Sequence, residues 1–442
     1  MSILRQVEDY ITRMRELEDE DVRKAIRDNY GPLLRVNNTF SRIDGGWIYV
    51  SVLHGIIFIL FVFSYIYLFF ITCYLVQDDF VLLGVQFHYL LLAFFGASFV
   101  VHLLGCRPDV NQIHKIIGQG FFKYTNDHLW SKEQDEFKKE MRKEQLQLIP
   151  FLGLIGVIGL FIVVLGPLID NMLGVGYTDD YYNGVYMKTP IPMYFPFEID
   201  SMVKHHLATS FQMITVLMLA LGIIGVVFIY IVTTQHMALQ LKILNTSLGK
   251  LNKRIRMILK SRYPKHAIQR EDITKDEKYQ ECVTFCLKEN IKHHQMIKQF
   301  QRRLAPLVGV PLLAAFLMGT MIMALSLMIL VKRGERIGLL MTNTIAMIGE
   351  VANLYIACSF GEDILTLSSE LFDKVYFIEW NTKMNVKNRK IVLSFQGATK
   401  DPITLGAALF FSCSMATFSS ICNSAYSYFS MLTATADQTA EN

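Results

Sequence analysis

Seven long apolar segments divide this chain, and its Lys and Arg residues lie almost entirely on one side of them. The segments cover 47–76, 80–105, 147–170, 208–234, 304–331, 337–358 and 403–433. Each contains about 20 or more mostly apolar residues, the length that crosses ~30 Å of hydrocarbon as a helix. The 442 residues are 52% hydrophobic, which is too apolar for an ordinary soluble domain. We therefore expect an all-α integral membrane protein with seven transmembrane helices.

The distribution of basic residues predicts the orientation of these helices. With a cytoplasmic N-terminus, the inward-facing stretches hold 38 of the 43 Lys and Arg residues, and the outward-facing stretches hold only Lys188, Lys204, Lys332, Arg333 and Arg336. Loops rich in Lys and Arg stay on the cytoplasmic side of a membrane. Seven crossings then leave the C-terminus extracellular. The first 46 residues are charged and polar, so we expect no cleavable signal peptide.

The stretches between the apolar segments divide the chain into four parts. Amphipathic spacing in the long inward-facing stretches predicts helical extensions that pack together as a cytosolic anchor subdomain. The expected parts are a cytoplasmic N-terminal helical segment at 1–46; transmembrane helices one to six at 47–358, with inner loops 106–146 and 235–303; a cytoplasmic anchor helix region at 359–402; and a seventh helix with a short extracellular tail at 403–442.

The long outward-facing loop at 171–207 has a composition of its own. Pro190, Pro192 and Pro196 lie among aromatic residues. Proline and its preceding residue favour extended backbone over helix. We therefore expect an extended, stiff segment that covers the outer mouth of the bundle.

No motif in the sequence indicates catalysis or a cofactor. The sequence contains no phosphate-binding glycine loop, zinc-protease motif or nucleophile elbow. Cys282, Cys286, His293 and His294 suggest zinc at first sight, but their spacing does not match common structural sites. Acidic residues are interleaved with the basic ones, which argues against binding to nucleic acid. We expect neither an enzyme nor a metalloprotein.

Three features inside the apolar segments leave alternatives open. Gly153, Gly156 and Gly159 indicate either close helix packing or room for a ligand beside the backbone. Glu350 indicates either a functional acid that faces protein or water, or a carboxylate that reaches to the inner interface. The seventh segment is rich in Ser and Thr between 412 and 433, which suits either a pore lining or tight helix packing.

The C-terminal quarter of the chain resembles the insect odorant receptors. The matching residues form two motifs and several single positions: Cys358-Ser359-Phe360-Gly361-Glu362-Asp363; Ser424-Ala425-Tyr426-Ser427-Tyr428-Phe429-Ser430-Met431-Leu432; and Glu370, Val375, Tyr376, Trp380, Arg389, Lys390 and Gln396. The resemblance implies a ligand-gated, non-selective cation channel of four subunits. It also implies that the last segment lines the pore, and that an odorant binds in the outer half of each subunit.

The resemblance implies a set of site residues as well. A mostly apolar cleft with a few polar groups suits a small volatile hydrophobic ligand, although each residue taken alone is equally typical of bundle core. The expected ligand-binding residues, in segments two, three, four and six, are Phe87, His88, Leu91, Phe161, Ser210, Met213, Ile214, Asn343, Ala346 and Met347. The expected pore and gate residues are Ser427, Met431, Ala434 and Thr435.

The resemblance further implies partners and a location. It places the chain in a heterotetramer with an odorant co-receptor, in the plasma membrane of a sensory dendrite, in contact with lipid and permeant cations. Thr435 is polar, and four polar copies would seal a gate poorly against water. We therefore expect an odorant-specific tuning subunit whose co-receptor supplies much of the gate.

Two other classes of receptor remain as alternatives. A gustatory-receptor-like homomeric channel shares the topology, but the Gln-Phe pair of that family does not follow Tyr426 or Tyr428 here. A G-protein-coupled receptor requires an extracellular N-terminus, which the distribution of basic residues argues against.

Overall fold

Long helices make up most of the computed structural model of this protein. It describes residues 20–22, 24–25, 28–29, 48–125, 131–177, 179–265, 273–332, 336–407 and 411–441. The predicted N-terminal segment at 1–46 lies largely outside this range, and its few described residues are helical. The helices are α1 (Ile48–Leu75), α2 (Phe80–Gly105), α3 (Arg107–Gln119), α4 (Ser131–Met172), α5 (Met202–Gly249), α6 (Leu251–Arg262), α7 (Glu277–Lys332), α8 (Ile337–Tyr376), α9 (Trp380–Lys383), α10 (Val386–Thr399) and α11 (Met415–Glu441).

Within the described residues, six helices are long and apolar enough to cross a membrane, namely α1, α2, α4, α5, α7 and α8. They contain the first six predicted segments. Four of them continue far beyond the apolar part. The 56 residues of α7 span about 84 Å, against ~30 Å of hydrocarbon. We call the end of the bundle that carries residues 171–207 the loop end, and the opposite end the anchor end.

Side chains at the helix starts explain where two of these helices begin. Asp79 precedes α2, and its Oδ1 accepts hydrogen bonds from the backbone N–H groups of Val81 (3.0 Å) and Leu82 (2.9 Å). Ser201 precedes α5 in extended backbone, and its hydroxyl accepts from the N–H of Lys204 (3.5 Å). Such caps satisfy N–H groups that the first helical turn leaves without a partner.

The predicted boundaries of the seventh segment, 403–433, are wrong at both ends. Its first part forms an antiparallel pair, β4 (Gly406–Ala407) with β5 (Phe411–Ser412). Cys413, directly after this pair, packs so closely on α8 that a Cβ on Gly361 would lie 2.4 Å from its carbonyl oxygen. The helix α11 begins only at Met415 and continues to Glu441, so the predicted short tail is helical. α11 is also too polar to be among the six apolar helices.

The loop at 171–207 is extended, as predicted, but it also forms a small sheet that was not predicted. The strands β1 (Tyr181–Tyr182), β2 (Val185–Tyr186) and β3 (Met193–Tyr194) pair antiparallel in that order. Asn183 and Gly184 connect the first two strands with φ angles of 46° and 82°. Tight two-residue hairpins require this left-handed backbone, which Asn-Gly adopts readily.

Hydrogen bonds attach this sheet to the loop end of the bundle. The N–H of Tyr194 donates to the hydroxyl of Thr72 in α1 (3.0 Å). The side-chain amide of Gln212 in α5 donates to the carbonyl oxygen of Ile191 (2.7 Å). Met193 of β3 is fully buried. The segment is therefore held against α1 and α5.

A proline in α7 leaves a backbone carbonyl oxygen free, and a histidine in α2 donates a hydrogen bond to that oxygen. Pro311 has no N–H, so α7 cannot make the helical hydrogen bond to the carbonyl oxygen of Leu307, four residues earlier. The imidazole Nε2 of His102 donates to that oxygen instead, at 3.0 Å. In a membrane interior a freed carbonyl needs such a partner from a neighbouring helix. The pair therefore joins α2 to α7 beside the proline.

Replacing His102 by Leu should destabilise the protein by about 1–3 kcal/mol, because the Leu307 carbonyl would lose its donor in a dry environment. In a Pro311→Ala background the Ala N–H can donate to Leu307, so the same His102→Leu change should have much less effect. Thermal melting of the four detergent-solubilised proteins measures this coupling. Equal losses in both backgrounds would contradict the pairing.

The largest hydrophobic cluster lies at the anchor end and encloses a buried ion pair. Arg254 of α6 donates to Glu289 of α7 (2.5 Å) and to Asn290 (3.0 Å), and its guanidinium lies 4.5 Å from the ring centre of Tyr124. The second oxygen of Glu289 accepts from the N–H and the hydroxyl of Thr125 (3.0 and 2.9 Å). The segment that follows α3 is thereby held against α6 and α7.

Replacing Glu289 by Gln should destabilise the protein by about 3–5 kcal/mol, because it leaves the Arg254 charge buried without a carboxylate. Glu370→Gln is the matched control, since Glu370 forms an exposed pair with Lys374 (3.4 Å) and should lose no more than ~0.5 kcal/mol. The melting temperatures of the two variants in detergent provide the test. Similar shifts in both would show that burial does not decide the effect.

Candidate ligand cavity and exposed face of α11

A cavity lies at the loop end, between α2, α4, α8 and the loop sheet. Its walls are apolar at Val85 of α2 and Leu339 of α8, and polar at Tyr89, Asp170 and Arg336. The cavity measures about 50 Å³. A cavity of ~150 Å³ is needed to bind benzene. A small organic molecule can therefore bind here only if the walls move apart.

Asp170 links two helices at the rim of this cavity. Its Oδ1 accepts from the N–H of Gly338 (2.6 Å) and its Oδ2 from the N–H of Leu339 (3.3 Å). A carboxylate from α4 thus caps the first turn of α8, where the helix dipole favours negative charge. The guanidinium of Arg336, just before α8, lies 3.5 Å from the ring centre of Tyr177.

The opposite side of the rim carries an ion pair in the loop. Lys188 lines the cavity and pairs with Asp180. The hydrogen bond with Asp180 and the negative charge of that carboxylate raise the pKa of Lys188. With Asp170 and Arg336, these groups give the cavity a charged mouth above an apolar interior.

The closest helix contact beside the cavity depends on two glycines. A Cβ on Gly338 would lie 1.9 Å from the carbonyl oxygen of Gly166 in α4, so no side chain fits there. Gly153 and Gly159 of the same helix have no atom within 4 Å of an added Cβ. An added Cβ on Gly156 would meet only the flexible end of Ile224. The packing glycine of α4 is therefore Gly166, which the sequence pattern did not indicate.

Gly338→Ala should separate α4 from α8 and destabilise the protein by about 1–3 kcal/mol, as overpacking does elsewhere. Gly159→Ala should instead be neutral or stabilise α4 by about 0.5–1 kcal/mol, because alanine favours helix and nothing obstructs it. Thermal melting of both variants in detergent measures the difference. A Gly338→Ala protein as stable as the parent would contradict this contact.

None of the predicted ligand residues lines this cavity, and they do not share one surface. His88 and Asn343 are fully buried, and Leu91, Met213, Ala346 and Met347 are partly buried. Phe87, Ser210 and Ile214 are exposed, and Phe161 is 63% exposed. Val85 and Leu339 line the cavity about one helical turn nearer the loop end than His88 and Asn343. The observed cavity is thus shallower than the predicted pocket.

One hydrophobic cluster connects the cavity wall to α11. Val85, Leu325, Met328 and Ile329 are its buried members. Tyr89 and Leu339, which also line the cavity, pack against them from one side. Phe429 and Leu432 of α11 pack against them as well. We call this set the coupling cluster; it includes side chains of the cavity wall and side chains of α11.

The other face of α11 is exposed and carries hydroxyl groups. It includes the predicted gate residues Ser427, Met431, Ala434 and Thr435. The hydroxyls of Ser427 and Thr435 donate to the carbonyl oxygens four residues earlier (3.0 and 3.1 Å). These two side chains hydrogen-bond within the helix, and their face is not covered by any of the described residues.

Glu350 faces protein and does not reach to an interface. It is 6% exposed, and its Oε1 would lie 2.4 Å from a Cβ on Gly319 of α7. His293 was one of the residues considered for zinc in the sequence analysis. Its two ring nitrogens hydrogen-bond with Tyr124 (2.8 Å) and Gln240 (3.0 Å). In the described ranges no three His, Cys, Asp or Glu side chains are grouped to hold a metal ion.

Comparison with known proteins identifies the class of protein to which this fold belongs. The family model described as 7tm Odorant receptor matches residues 122–426. The chain belongs to the odorant receptor family, a family of multi-pass membrane proteins of olfaction that are sensory receptors and not enzymes. The resemblance of the C-terminal quarter is thereby confirmed.

Solved structures agree with this assignment at the level of the fold. Two structures of the insect olfactory receptor OR5 from Machilis hrabei, one in complex with eugenol, are similar to this chain with TM-scores of 0.64 and 0.63. Sequence identity is 11% for the eugenol complex and 10% for the other structure; each match covers 97% of this chain and 98% of the receptor. No curated protein matches this sequence.

Proposed function

We propose that this chain is the odorant-specific subunit of an odorant-gated, non-selective cation channel. The family and the fold support a ligand-gated channel. The Machilis receptor of the same fold is a complex with eugenol, a small aromatic molecule. The ligand proposed here is likewise a small volatile hydrophobic molecule. It binds at the loop end, in the cavity and in the adjoining layer of His88 and Asn343.

The coupling cluster is the observation that carries this proposal. Tyr89 and Leu339 belong both to the cavity wall and to the cluster against which Phe429 and Leu432 of α11 pack. Because the cavity is smaller than an odorant, a bound ligand must displace these walls. Packed side chains transmit such a displacement, since interiors have few voids to absorb it. Ligand binding thus shifts α11.

The ligand changes gating only through its different affinity for two arrangements of the protein. A closed arrangement has the small cavity described above. An open arrangement has a wider cavity, and α11 has moved with the coupling cluster. Burial of apolar ligand surface contributes about 25 cal/mol per Å². Uncharged ligands are therefore favoured over ionised ones, which would lose hydration in an apolar site.

The exposed face of α11 suits a pore built from several subunits. Ser427, Met431, Ala434 and Thr435 lie on this face. In the proposed orientation the N-terminus is cytoplasmic, the C-terminus is extracellular, and the anchor end holds the subunits together in the plasma membrane. Since Thr435 is polar, an odorant co-receptor supplies the more apolar part of the gate. The assembly proposed is a heterotetramer with that co-receptor.

Whole-cell currents test this function directly. The chain is expressed with and without an insect odorant co-receptor, and a panel of volatile compounds is applied under voltage clamp. We expect a rapid cation current only with the co-receptor, and no requirement for G-protein signalling. A current from the chain alone would favour a homomeric channel, and an epitope on Met1 that stains intact cells would contradict the proposed orientation.

Phe429→Ala tests the coupling cluster in the same recordings. Removing this ring should raise the half-maximal odorant concentration about fivefold or lower the maximal current, because it weakens a contact worth about 1 kcal/mol. Phe63→Ala is the matched control, since Phe63 of α1 is 60% exposed and lies outside the cluster. Surface labelling corrects for expression. An identical response in both variants would remove the cluster from gating.

A further inference from the structure

A buried histidine beside the cavity has one ring nitrogen without a partner. His88 of α2 is 1% exposed. Its Nδ1 lies 3.2 Å from the hydroxyl oxygen of Ser326 in α7. Its Nε2 has no hydrogen-bond partner among the described residues. An unsatisfied polar atom in a dry interior is unfavourable, and in functional sites such an atom commonly awaits a ligand or water.

His88 lies directly behind a residue of the cavity wall. The ring of His88 meets that of Tyr89 edge to face, with centres 5.6 Å apart, and Tyr89 lines the cavity. Val85, one helical turn nearer the loop end on the same face, also lines it. A ligand that displaces Tyr89 and enters more deeply therefore meets the imidazole of His88 next.

The contact with Ser326 decides which nitrogen carries the hydrogen. Serine hydroxyls in α11 donate to carbonyl oxygens four residues earlier, as Ser424 does to Ser420 (2.9 Å). The hydroxyl of Ser326 has no other partner among the described residues and lies 3.2 Å from Nδ1 of His88. We assign the hydroxyl as the donor, because Nδ1 is then the acceptor that its hydrogen needs. In a neutral imidazole the other nitrogen then carries the hydrogen. Nε2 is consequently a donor directed at the ligand.

We infer that His88 selects ligands that carry an uncharged oxygen acceptor, such as ketones, aldehydes and esters, over hydrocarbons of the same shape. The inference rests on the proposed function and names the ligand class of that site. A hydrocarbon would leave Nε2–H buried without an acceptor, whereas a carbonyl oxygen accepts its hydrogen bond. Sites built to donate a hydrogen bond discriminate against analogues that cannot accept it.

Shape-matched pairs of volatile compounds test this selection. Cyclohexanone with methylenecyclohexane, and acetophenone with α-methylstyrene, differ only by oxygen against a CH₂ group. Each is applied to the receptor with its co-receptor, and the half-maximal concentrations are compared within each pair. We expect the ketone to be about tenfold more potent in the parent protein. His88→Phe should bring that ratio close to one while the alkene response is kept.

Three further variants make the result specific. His88→Gln retains a side-chain donor and should restore part of the preference. Ser326→Ala frees the orientation of the imidazole and should reduce the preference. His205→Phe removes a histidine of α5 whose Nδ1 bonds Tyr186 (3.2 Å), away from this contact, and should leave the ratio unchanged. Because the ratio is measured within one variant, changes in expression cancel.

Two outcomes would overturn the inference. A parent receptor that responds equally to ketone and alkene, or a His88→Phe variant that keeps the parental ratio, would exclude His88 as the selecting donor while the channel function stands. A parent receptor that gives no current with any volatile compound, despite surface labelling, would overturn the proposed function and this inference together.

Discussion

Inside hydrocarbon each backbone N–H and carbonyl must find its partner within the protein, because no water is available. This chain meets the requirement in ways that also determine its architecture. His102 donates to the carbonyl that Pro311 leaves free, and this bond joins α2 to α7. Asp170 accepts from the first N–H groups of α8, and this bond joins α4 to α8. The Asp170 contact lies at the loop-end cavity, and the His102 contact joins its two helices farther toward the anchor end.

The same requirement separates the two faces of α11. The hydroxyls of Ser427 and Thr435 on its exposed face donate to the helix backbone. Its apolar side chains Phe429 and Leu432 pack into the coupling cluster. One helix therefore combines an exposed face of hydroxyl side chains with a face that packs against residues of the cavity wall. In the function proposed above, this helix would carry a binding event at the loop end to the pore.

The apolar segments predicted six of the long helices, because length and hydropathy alone define a membrane-crossing helix. Hydropathy could not predict the boundaries of the seventh, since Gly406–Ala407 and Phe411–Ser412 lie in an apolar stretch but pair as strands before the helix begins. The Asn183-Gly184 pair is a hairpin signal in the sequence, but the prolines of the same loop led us to expect an extended segment alone. Neither Gly166 nor Asp170 belongs to a recognisable sequence pattern. Their roles depend on the residues of α8 that lie opposite them, which the sequence alone does not reveal. We expected Phe161 at the ligand, and it is 63% exposed in this chain. The position of a residue along an apolar segment does not determine which face of the helix it lies on.

The length of α7 has a mechanical consequence. From Glu277 to Pro311 the helix runs about 51 Å, and proline weakens it locally. A change of about 5° in direction at Pro311 would therefore swing the far tip of α7 by roughly 4 Å. Leu325 and Met328 lie on the loop-end side of Pro311 and belong to the coupling cluster. Small adjustments around a bound ligand would thus be magnified at the anchor end of α7.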